Sequence, residues 1–188
     1  MRKVIYLMNV SLDGYVETAD HDPGWAQPDE ELFRFFIDEV RAQGVFLYGR
    51  RLYELMASHW PTADADPSTP QDTVEFAQIW RQKPKVVFSR TLTEVAWNGR
   101  LVRDNVAREV ADLKEQPGGD LAVGGPTLAA ALIRLGLVDE YRLVVHPVVL
   151  GGGTPFFPPL DGQVQLRLLE TRTFGSGVEY LRYARADI

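Results

Sequence analysis

The chain has 188 residues, a length typical of one domain that can bury a sizeable core. It contains no cysteine, which excludes disulfides, thiolate metal sites, iron–sulfur clusters and a cysteine nucleophile, and which is compatible with a cytoplasmic protein. The formal net charge of −6 argues against a nucleic-acid partner, because nucleic-acid-binding proteins usually carry a basic surface. Any phosphate-bearing ligand would therefore need a local basic pocket.

The first apolar run predicts a buried strand and no membrane segment. Residues 4–10 are almost continuously apolar, which is typical of a strand buried on both faces. Polar Asn9, Ser11 and Asp13 interrupt or follow the run, and no small-residue cleavage pattern is present. The run is also too short to span a bilayer, so we expect neither a signal peptide nor a membrane partner.

Helix and strand patterns alternate as far as residue 135. After a turn-rich loop at residues 19–28, a helix is predicted from Pro28 or Asp29 to Gly44, because acidic residues at its start face the positive end of the helix dipole. The following predicted elements are a strand at 45–48, a helix from Gly49 to about Met56, a surface loop at 58–72, a helix from a capping box at 72–75 to about Arg81, a strand at 85–89, a helix at about 104–114, a strand at 121–123 and a helix carrying Leu128, Leu132 and Leu135.

The last third of the chain has a different pattern. Long strands are predicted at residues 141–150, 165–174 and 178–183, and Gly175-Ser176-Gly177 is a hairpin signal between the last two. Alternating strands and helices predict a mostly parallel α/β sheet, and the final strands predict an antiparallel edge. We interpret the whole chain, residues 1–188, as a single domain.

Three predicted strand ends carry residues suited to binding phosphate. These are Gly49-Arg50-Arg51, Ser89-Arg90 and Gly124-Gly125. Each alone is explained as well by a tight turn or a solvated loop, but ligands of open α/β sheets bind beside the carboxyl ends of strands. Helix N-termini, arginine forks and close backbone approach all favour phosphates there. Neither G-x-G-x-x-G nor the P-loop pattern is present, so the conjunction predicts NADPH in a different kind of nucleotide site.

Longer stretches around these segments resemble the dihydrofolate reductase-like superfamily. More narrowly, they resemble the branch that contains the C-terminal reductase domain of the bifunctional riboflavin-biosynthesis deaminase-reductase. The segments that carry the resemblance are 11–14 (SLDG), 48–54 (YGRRLYE), 88–90 (FSR), 123–125 (VGG), 137–140 (LVDE), 147–153 (PVVLGGG) and 156–157 (FF). They extend over most of the chain.

The resemblance implies an α/β sheet of about eight strands flanked by helices, with NADPH bound across the strand ends. It also implies an NADPH-dependent reductase of a small heterocycle, similar to 5-amino-6-(5-phosphoribosylamino)uracil reductase. The residues that it assigns to the cofactor are Met8 and Asn9 near the nicotinamide, Gly49, Arg50 and Arg51 at cofactor phosphates, Ser89 and Arg90 on the adenosine side, and Gly124, Gly125 and Thr127 at the pyrophosphate.

The substrate is less constrained than the cofactor. Leu52 stands where folate-reducing relatives carry threonine, and no carboxylate of the first helix is clearly placed to grip a pterin. A dihydrofolate or pterin reductase, a dehydrogenase of a sugar phosphate or carbonyl compound, and a nucleotide-binding module without turnover remain alternatives.

A reductase also needs a proton donor, for which a carboxyl group of raised pKa would serve. Asp13, after the first strand, is the first candidate, although it could simply form a turn. Glu30 and Glu31 come next, Tyr15 follows, and Trp25 is a candidate cover for the substrate.

No metal site is expected, because the three histidines are far apart in sequence. A homodimer is expected, because apolar stretches at 143–150 and 166–169 would leave an exposed sheet edge, and because relatives of this branch are commonly dimers.

Overall fold

An eight-stranded sheet forms the centre of the protein, which a computed structural model describes for residues 1–186. Its strands are β1 (Val4–Ser11), β3 (Val45–Gly49), β4 (Lys85–Phe88), β5 (Gly99–Val102), β6 (Leu121–Gly124), β7 (Glu140–His146), β9 (Leu166–Thr173) and β10 (Glu179–Arg185). Their order is β5-β4-β3-β6-β1-β7-β10-β9. All neighbours from β5 to β7 are parallel, whereas β10 and β9 are antiparallel. The predicted fold class is therefore confirmed.

Five α-helices flank the sheet within residues 1–186. They are α1 (Glu30–Ala42), α2 (Arg50–His59), α3 (Gln71–Gln82), α4 (Val106–Glu115) and α5 (Pro126–Arg134), and a 3-10 turn at Trp60–Thr62 follows α2. Helices α2 and α5 begin directly after β3 and β6, and α4 begins shortly after β5. Because these three strands are parallel, the three helix N-termini lie along the same edge of the sheet.

Two short strands lie outside the main sheet. Strand β2 (Tyr15–Glu17) pairs with β8 (Thr154–Pro155) in an antiparallel ribbon. Gly153 has φ +137°, and a Cβ atom at this residue would collide with the carbonyl oxygen of Glu17. Glycine is therefore needed where the segment before β8 approaches β2.

Aliphatic and aromatic side chains fill both faces of the sheet. Tyr6, Leu47 and Val123 form one buried cluster with side chains from α4 and α5. On the other face, Ile37 and Trp80 bring α1 and α3 against the aromatic side chains of β3. Within residues 1–186, no helix combines the length and apolar character needed to cross a bilayer.

Several local predictions are confirmed. The helix start predicted at Pro28 or Asp29 is close to the observed one, because α1 begins at Glu30 and Asp29 is its N-cap, with Oδ1 accepting a hydrogen bond from the Leu32 N–H at 2.8 Å. Residues 174–178 close the hairpin between β9 and β10, with Gly177 at φ +81°. In both cases a short-range hydrogen-bonding pattern is sufficient to specify the backbone.

Other local predictions are wrong. Helix α3 has Pro70 as its N-cap, and Asp72 and Glu75 bind Arg34 of α1 instead of forming a capping box. Strand β5 was not predicted, because it is a short edge strand with no apolar run. The strand predicted at residues 141–150 ends at His146, since Pro147 follows.

Helix ends also differ from the predictions. Gly44 has no left-handed φ and is needed for another reason, since a Cβ at this position would lie 2.5 Å from the Gly119 carbonyl oxygen. Helix α2 continues to His59 and leads into the 3-10 turn, so the end of the helix and the whole turn lie where a surface loop was predicted at residues 58–72. Leu135 follows the last residue of α5 and is 52% exposed, so it does not extend the buried stripe of Leu128 and Leu132.

Candidate active site

A cavity of about 930 Å³ opens at the carboxyl ends of the parallel strands. Its volume is in the range typical of small-molecule and cofactor sites. Nine of the ten residues predicted to bind a cofactor line it, namely Met8, Gly49, Arg50, Arg51, Ser89, Arg90, Gly124, Gly125 and Thr127. The structure therefore brings together three segments that are far apart in the sequence.

Three helix N-termini meet at this cavity. The N-caps of α2, α4 and α5 are Gly49, Asn105 and Gly125, all of which line the cavity, and none of them makes a side-chain capping hydrogen bond. Of the two helices that begin away from the cavity, α1 is capped by Asp29, whereas α3, with Pro70 as its N-cap, also has no side-chain cap. The first N–H groups of the three helices have no partner within their own helix, and each N-terminus carries a partial positive charge. This arrangement suits phosphate groups.

The turn between β6 and α5 favours glycine. Gly125 has φ +86°, and a Cβ at Gly124 would lie 2.5 Å from Cδ2 of Leu52. Leu52 thus packs directly against the double glycine. Its apolar side chain fills the space beside the turn and offers no hydroxyl group to a ligand there.

Arginine side chains line one end of the cavity and are only loosely held. The side chain of Arg50 is 52% exposed and lies 4.0 Å from Glu54, and that of Arg90 is 83% exposed and lies 3.3 Å from Asp104. Arg103 donates to the Arg90 carbonyl oxygen at 3.3 Å. Such exposed pairs contribute little to stability, so these guanidinium groups can be redirected to an anionic ligand at low cost.

Ser89 has a structural role in the same region. Its Oγ accepts hydrogen bonds from the N–H groups of Thr91 at 3.2 Å and Leu92 at 3.0 Å. The hydroxyl group therefore orders the turn after β4, and its own proton can be donated to a second partner.

Glu17, at the end of β2, is a cavity residue that the sequence did not reveal. Its side chain is 6% exposed and accepts hydrogen bonds from Arg51 Nη2 at 2.7 Å and Thr154 Oγ1 at 2.7 Å, and His21 Nδ1 lies 2.9 Å away. Burial opposes ionisation, but the hydrogen bonds from Thr154, Arg51 and His21 outweigh it and keep the pKa of Glu17 below its ordinary value. No local pattern marks Glu17, because Thr154 is 137 positions away.

Asp13, the first candidate proton donor, does not line the cavity. Its carboxylate accepts hydrogen bonds from Ser11 Oγ at 2.6 Å and from the N–H groups of Leu150 at 3.0 Å and Gly151 at 2.8 Å. The Ser11 hydrogen bond, assisted by the two backbone groups, lowers the pKa of Asp13. A proton donor needs a raised pKa, so the observed role of Asp13 is to hold the glycine-rich loop after β7 against the end of β1.

The acids of the first helix also lie outside the cavity wall. Glu31 accepts hydrogen bonds from the Gly175 N–H at 3.1 Å and from Arg172 at 2.9 Å, and these interactions lower its pKa. Glu30 is the exposed first residue of α1. The structure thus gives neither acid the surroundings of a proton donor.

The side chain of Asn9, the tenth predicted cofactor residue, faces away from the cavity. The resemblance assigns the backbone of Met8 and Asn9, and not their side chains, to the nicotinamide amide, and that assignment stays a prediction. Neighbouring residues of a strand point to opposite faces, so Asn9 lies on the face opposite Met8. Its Oδ1 is 2.9 Å from His146 Nε2, and burial lowers the pKa of that imidazole, which favours its neutral form. Trp25 lies edge-on to His146, with ring centroids 5.4 Å apart, and donates to the Val16 carbonyl oxygen.

This mostly parallel eight-stranded sheet has the fold of solved dihydrofolate reductase-like proteins. Dihydrofolate reductase from Enterococcus faecalis, solved in complex with NADP(H), superposes with a TM-score of 0.65 at 16% identity over 98% of this chain and 97% of that one. A protein from Shewanella sp. PV-4 assigned to riboflavin biosynthesis superposes with a TM-score of 0.77 at 21% identity over 98% and 99% of the two chains.

Sequence comparison identifies the family within this class. The profile of the RibD C-terminal domain matches residues 2–180, and the chain belongs to this family. The Bacillus subtilis (strain 168) protein YyaP is 37% identical over 184 residues, which cover 97% of this chain and 94% of YyaP. The resemblance noted in the sequence is thereby confirmed.

Proposed function

We propose that the protein is an NADPH-dependent reductase of a small heterocyclic substrate, related in activity to 5-amino-6-(5-phosphoribosylamino)uracil reductase. The observation that carries this proposal is the convergence of three helix N-termini without side-chain caps and the loosely held Arg50 and Arg90 on one cavity. A ligand that carries a pyrophosphate and a further phosphate matches this donor set. Membership of the RibD C-terminal domain family supports a reductase.

The residues of the cavity fit NADPH in type as well as in charge. Arg50 and Arg90 would hold phosphate on the adenosine side, and the N-terminus of α5 beside Gly125 would hold the pyrophosphate. Met8, in β1, provides an apolar part of the cavity wall, beside which the nicotinamide would lie. When bound, NADPH supplies the hydride, and the task of this chain is to orient the ring and to exclude water.

Folate reduction is less well supported than reduction of another heterocycle. Glu31 is hydrogen-bonded to Arg172 and Gly175, and Glu30 is exposed outside the cavity wall, so neither acid is placed to bind a pterin ring inside the cavity. Leu52 also removes a hydroxyl group beside the double glycine. We therefore favour a substrate other than dihydrofolate.

NADPH is expected to stabilise the protein against heat. At a concentration one hundredfold above its Kd, a ligand specific for the folded state adds about 2.7 kcal/mol. For a domain of this size, the expected rise in melting temperature is roughly 5–10 °C. Differential scanning fluorimetry with NADPH and NADH measures it, and no shift with either cofactor would contradict the proposal.

Turnover distinguishes an enzyme from a binding module. NADPH oxidation, followed by absorbance, is measured with 5-amino-6-(5-phosphoribosylamino)uracil, dihydrofolate and simple carbonyl compounds. Oxidation with the aminouracil alone would support the proposed class. Tight NADPH binding without oxidation against any of these compounds would favour a nucleotide-binding module.

We also propose that the protein forms a homodimer. Strand β9 is an edge strand on which Leu168 and Leu169 are 51% and 37% exposed. Long unpaired edges promote association with another chain, and pairing with a second copy would cover this one. Light scattering is expected to give twice the chain mass of 21.2 kDa, and Leu168→Glu should shift the protein toward monomer. A wild-type monomer at micromolar concentration would contradict the proposal.

A further inference from the structure

Glu17 pairs with Arg51, one of the arginines that the family resemblance assigns to cofactor phosphates. We propose that Glu17 is a specificity-determining residue, which pairs with Arg51 until a ligand carrying several phosphate charges replaces it. The cavity would thereby reject single small anions and accept a pyrophosphate-bearing nucleotide. This inference rests on the proposed function. It adds that the Glu17–Arg51 pair excludes weakly bound anions from the proposed nucleotide site.

The two oxygens of the Glu17 carboxylate have different partners. Oε2 accepts the short hydrogen bond from Arg51 Nη2 at 2.7 Å. Oε1 accepts from Thr154 Oγ1 at 2.7 Å and lies 2.9 Å from His21 Nδ1, whereas its distance to Arg51 Nη1 is 3.5 Å. One oxygen therefore holds the β2–β8 ribbon together, and the other holds the arginine.

The exposure of the two partners indicates which of them can move. The side chain of Arg51 is 52% exposed, whereas that of Glu17 is 6% exposed. Arg51 lies in the first turn of α2 at the cavity, so its guanidinium can turn toward a ligand without unpacking the helix. Glu17 would keep its contacts with Thr154 and His21 after Arg51 has left. Glu17 can therefore stay in place while the Arg51 side chain moves away, which breaks the ion pair between them.

Because Glu17 is negatively charged and already pairs with Arg51, an anion can bind Arg51 only if its other contacts compensate for the lost ion pair and for repulsion by Glu17. A single inorganic phosphate must displace a carboxylate and remain beside it, with few further contacts to compensate. A pyrophosphate at the same place also reaches the N–H groups of α5 and the guanidinium of Arg50, both in the wall of the cavity. Only the larger anion gains enough contacts to displace the acid.

The experiment is Glu17→Gln, which is isosteric and keeps an oxygen acceptor for Thr154 and His21 while removing the charge that faces Arg51. The Kd values of inorganic pyrophosphate and of NADPH are expected to fall roughly tenfold, since a like charge close to the bound anion is removed. Inorganic phosphate should also become a measurable competitor. Thr154→Val is the matched control, because it removes a partner of Oε1 only, and its Kd values should stay within about twofold of wild type.

A double-mutant cycle separates this role from a merely structural one. In an Arg51→Met background, Glu17→Gln should no longer tighten binding to the same extent, because the competition for the guanidinium has gone. Arg51→Met alone leaves the acid without its basic partner, so we expect it to weaken pyrophosphate binding by about tenfold or more. This second variant tests the inference even if Glu17→Gln fails to fold, as circular dichroism would reveal.

Three results would overturn the inference. The first is unchanged or weaker pyrophosphate binding by folded Glu17→Gln. The others are an equal gain in pyrophosphate affinity from Glu17→Gln in the Arg51→Met background, and wild-type pyrophosphate affinity in Arg51→Met alone. Failure of the proposed function would look different. In that case the wild-type protein would bind neither NADPH nor NADH, while the pyrophosphate measurements would still decide the role of Glu17.

Discussion

Replacing Arg50 by methionine is expected to weaken NADPH binding about tenfold to one hundredfold and to change NADH binding much less. Hydrogen bonds to charged groups contribute about 1.5–3 kcal/mol, which corresponds to this range of Kd. Arg50 lines the cavity, and its ion pair with Glu54 spans 4.0 Å, so its charge is available to a ligand. NADH lacks the 2′-phosphate, which is the group that we expect Arg50 to hold.

Arg108→Met is the matched control for this substitution. It removes the same charge from α4, where the side chain is 83% exposed and pairs with Asp112 at 3.8 Å, outside the cavity wall. Isothermal titration calorimetry with both cofactors should show an effect for Arg50→Met alone. Equal losses for NADPH and NADH would assign Arg50 to the pyrophosphate. No loss for either cofactor would remove Arg50 from the site.

Replacing Glu140 by glutamine is expected to destabilise the protein by about 3–5 kcal/mol, the usual cost of breaking a buried ion pair by removing one of its charges. Glu140 is completely buried at the start of β7. Its carboxylate accepts hydrogen bonds from Arg142 Nε at 2.6 Å and Arg182 Nε at 2.6 Å, and Lys3 Nζ lies 3.5 Å away. Urea unfolding monitored by tryptophan fluorescence measures the loss.

Glu170→Gln is the control for Glu140→Gln. Glu170 contacts the same Arg182, at 3.4 Å, but its side chain is 50% exposed. Exposed ion pairs contribute about 0–1 kcal/mol, so this variant should unfold almost like the wild type. Equal destabilisation by the two substitutions would contradict the importance that we assign to burial.

The same carboxylate should contribute to acid sensitivity. Burial opposes its ionisation, but Arg182 and Arg142 outweigh that effect and hold the pKa of Glu140 below its ordinary value. The folded state therefore binds the proton less readily than the unfolded state, in which a glutamate has a pKa of about 4.3. The stabilisation is complete above that pH and is lost as the pH falls through the lower folded-state pKa. The difference in unfolding free energy between wild type and Glu140→Gln should accordingly shrink on acidification.

Most of the fold could be predicted from local patterns. The apolar run at residues 4–10 marked β1 as a buried strand, and the acidic residues after Pro28 marked the start of α1, because both patterns depend on residues close together in the chain. Strand β5 could not be predicted in this way. It is held by pairing with β4 and not by a pattern of its own. The assignment of residues 72–75 failed because Arg34, in another helix, competes for both acids.

The sequence by itself determined the class of fold, the family resemblance and the three segments after β3, β4 and β6 that we propose hold a phosphate-bearing ligand, since each depends on residues that are adjacent in the chain. Tertiary structure alone decided how the acids are used. Asp13 is bound by the N–H groups of Leu150 and Gly151, and Glu17 is joined to Arg51 and Thr154. A carboxylate is directed by whichever donors the fold brings within hydrogen-bonding distance, and here some of those donors lie more than 130 residues away.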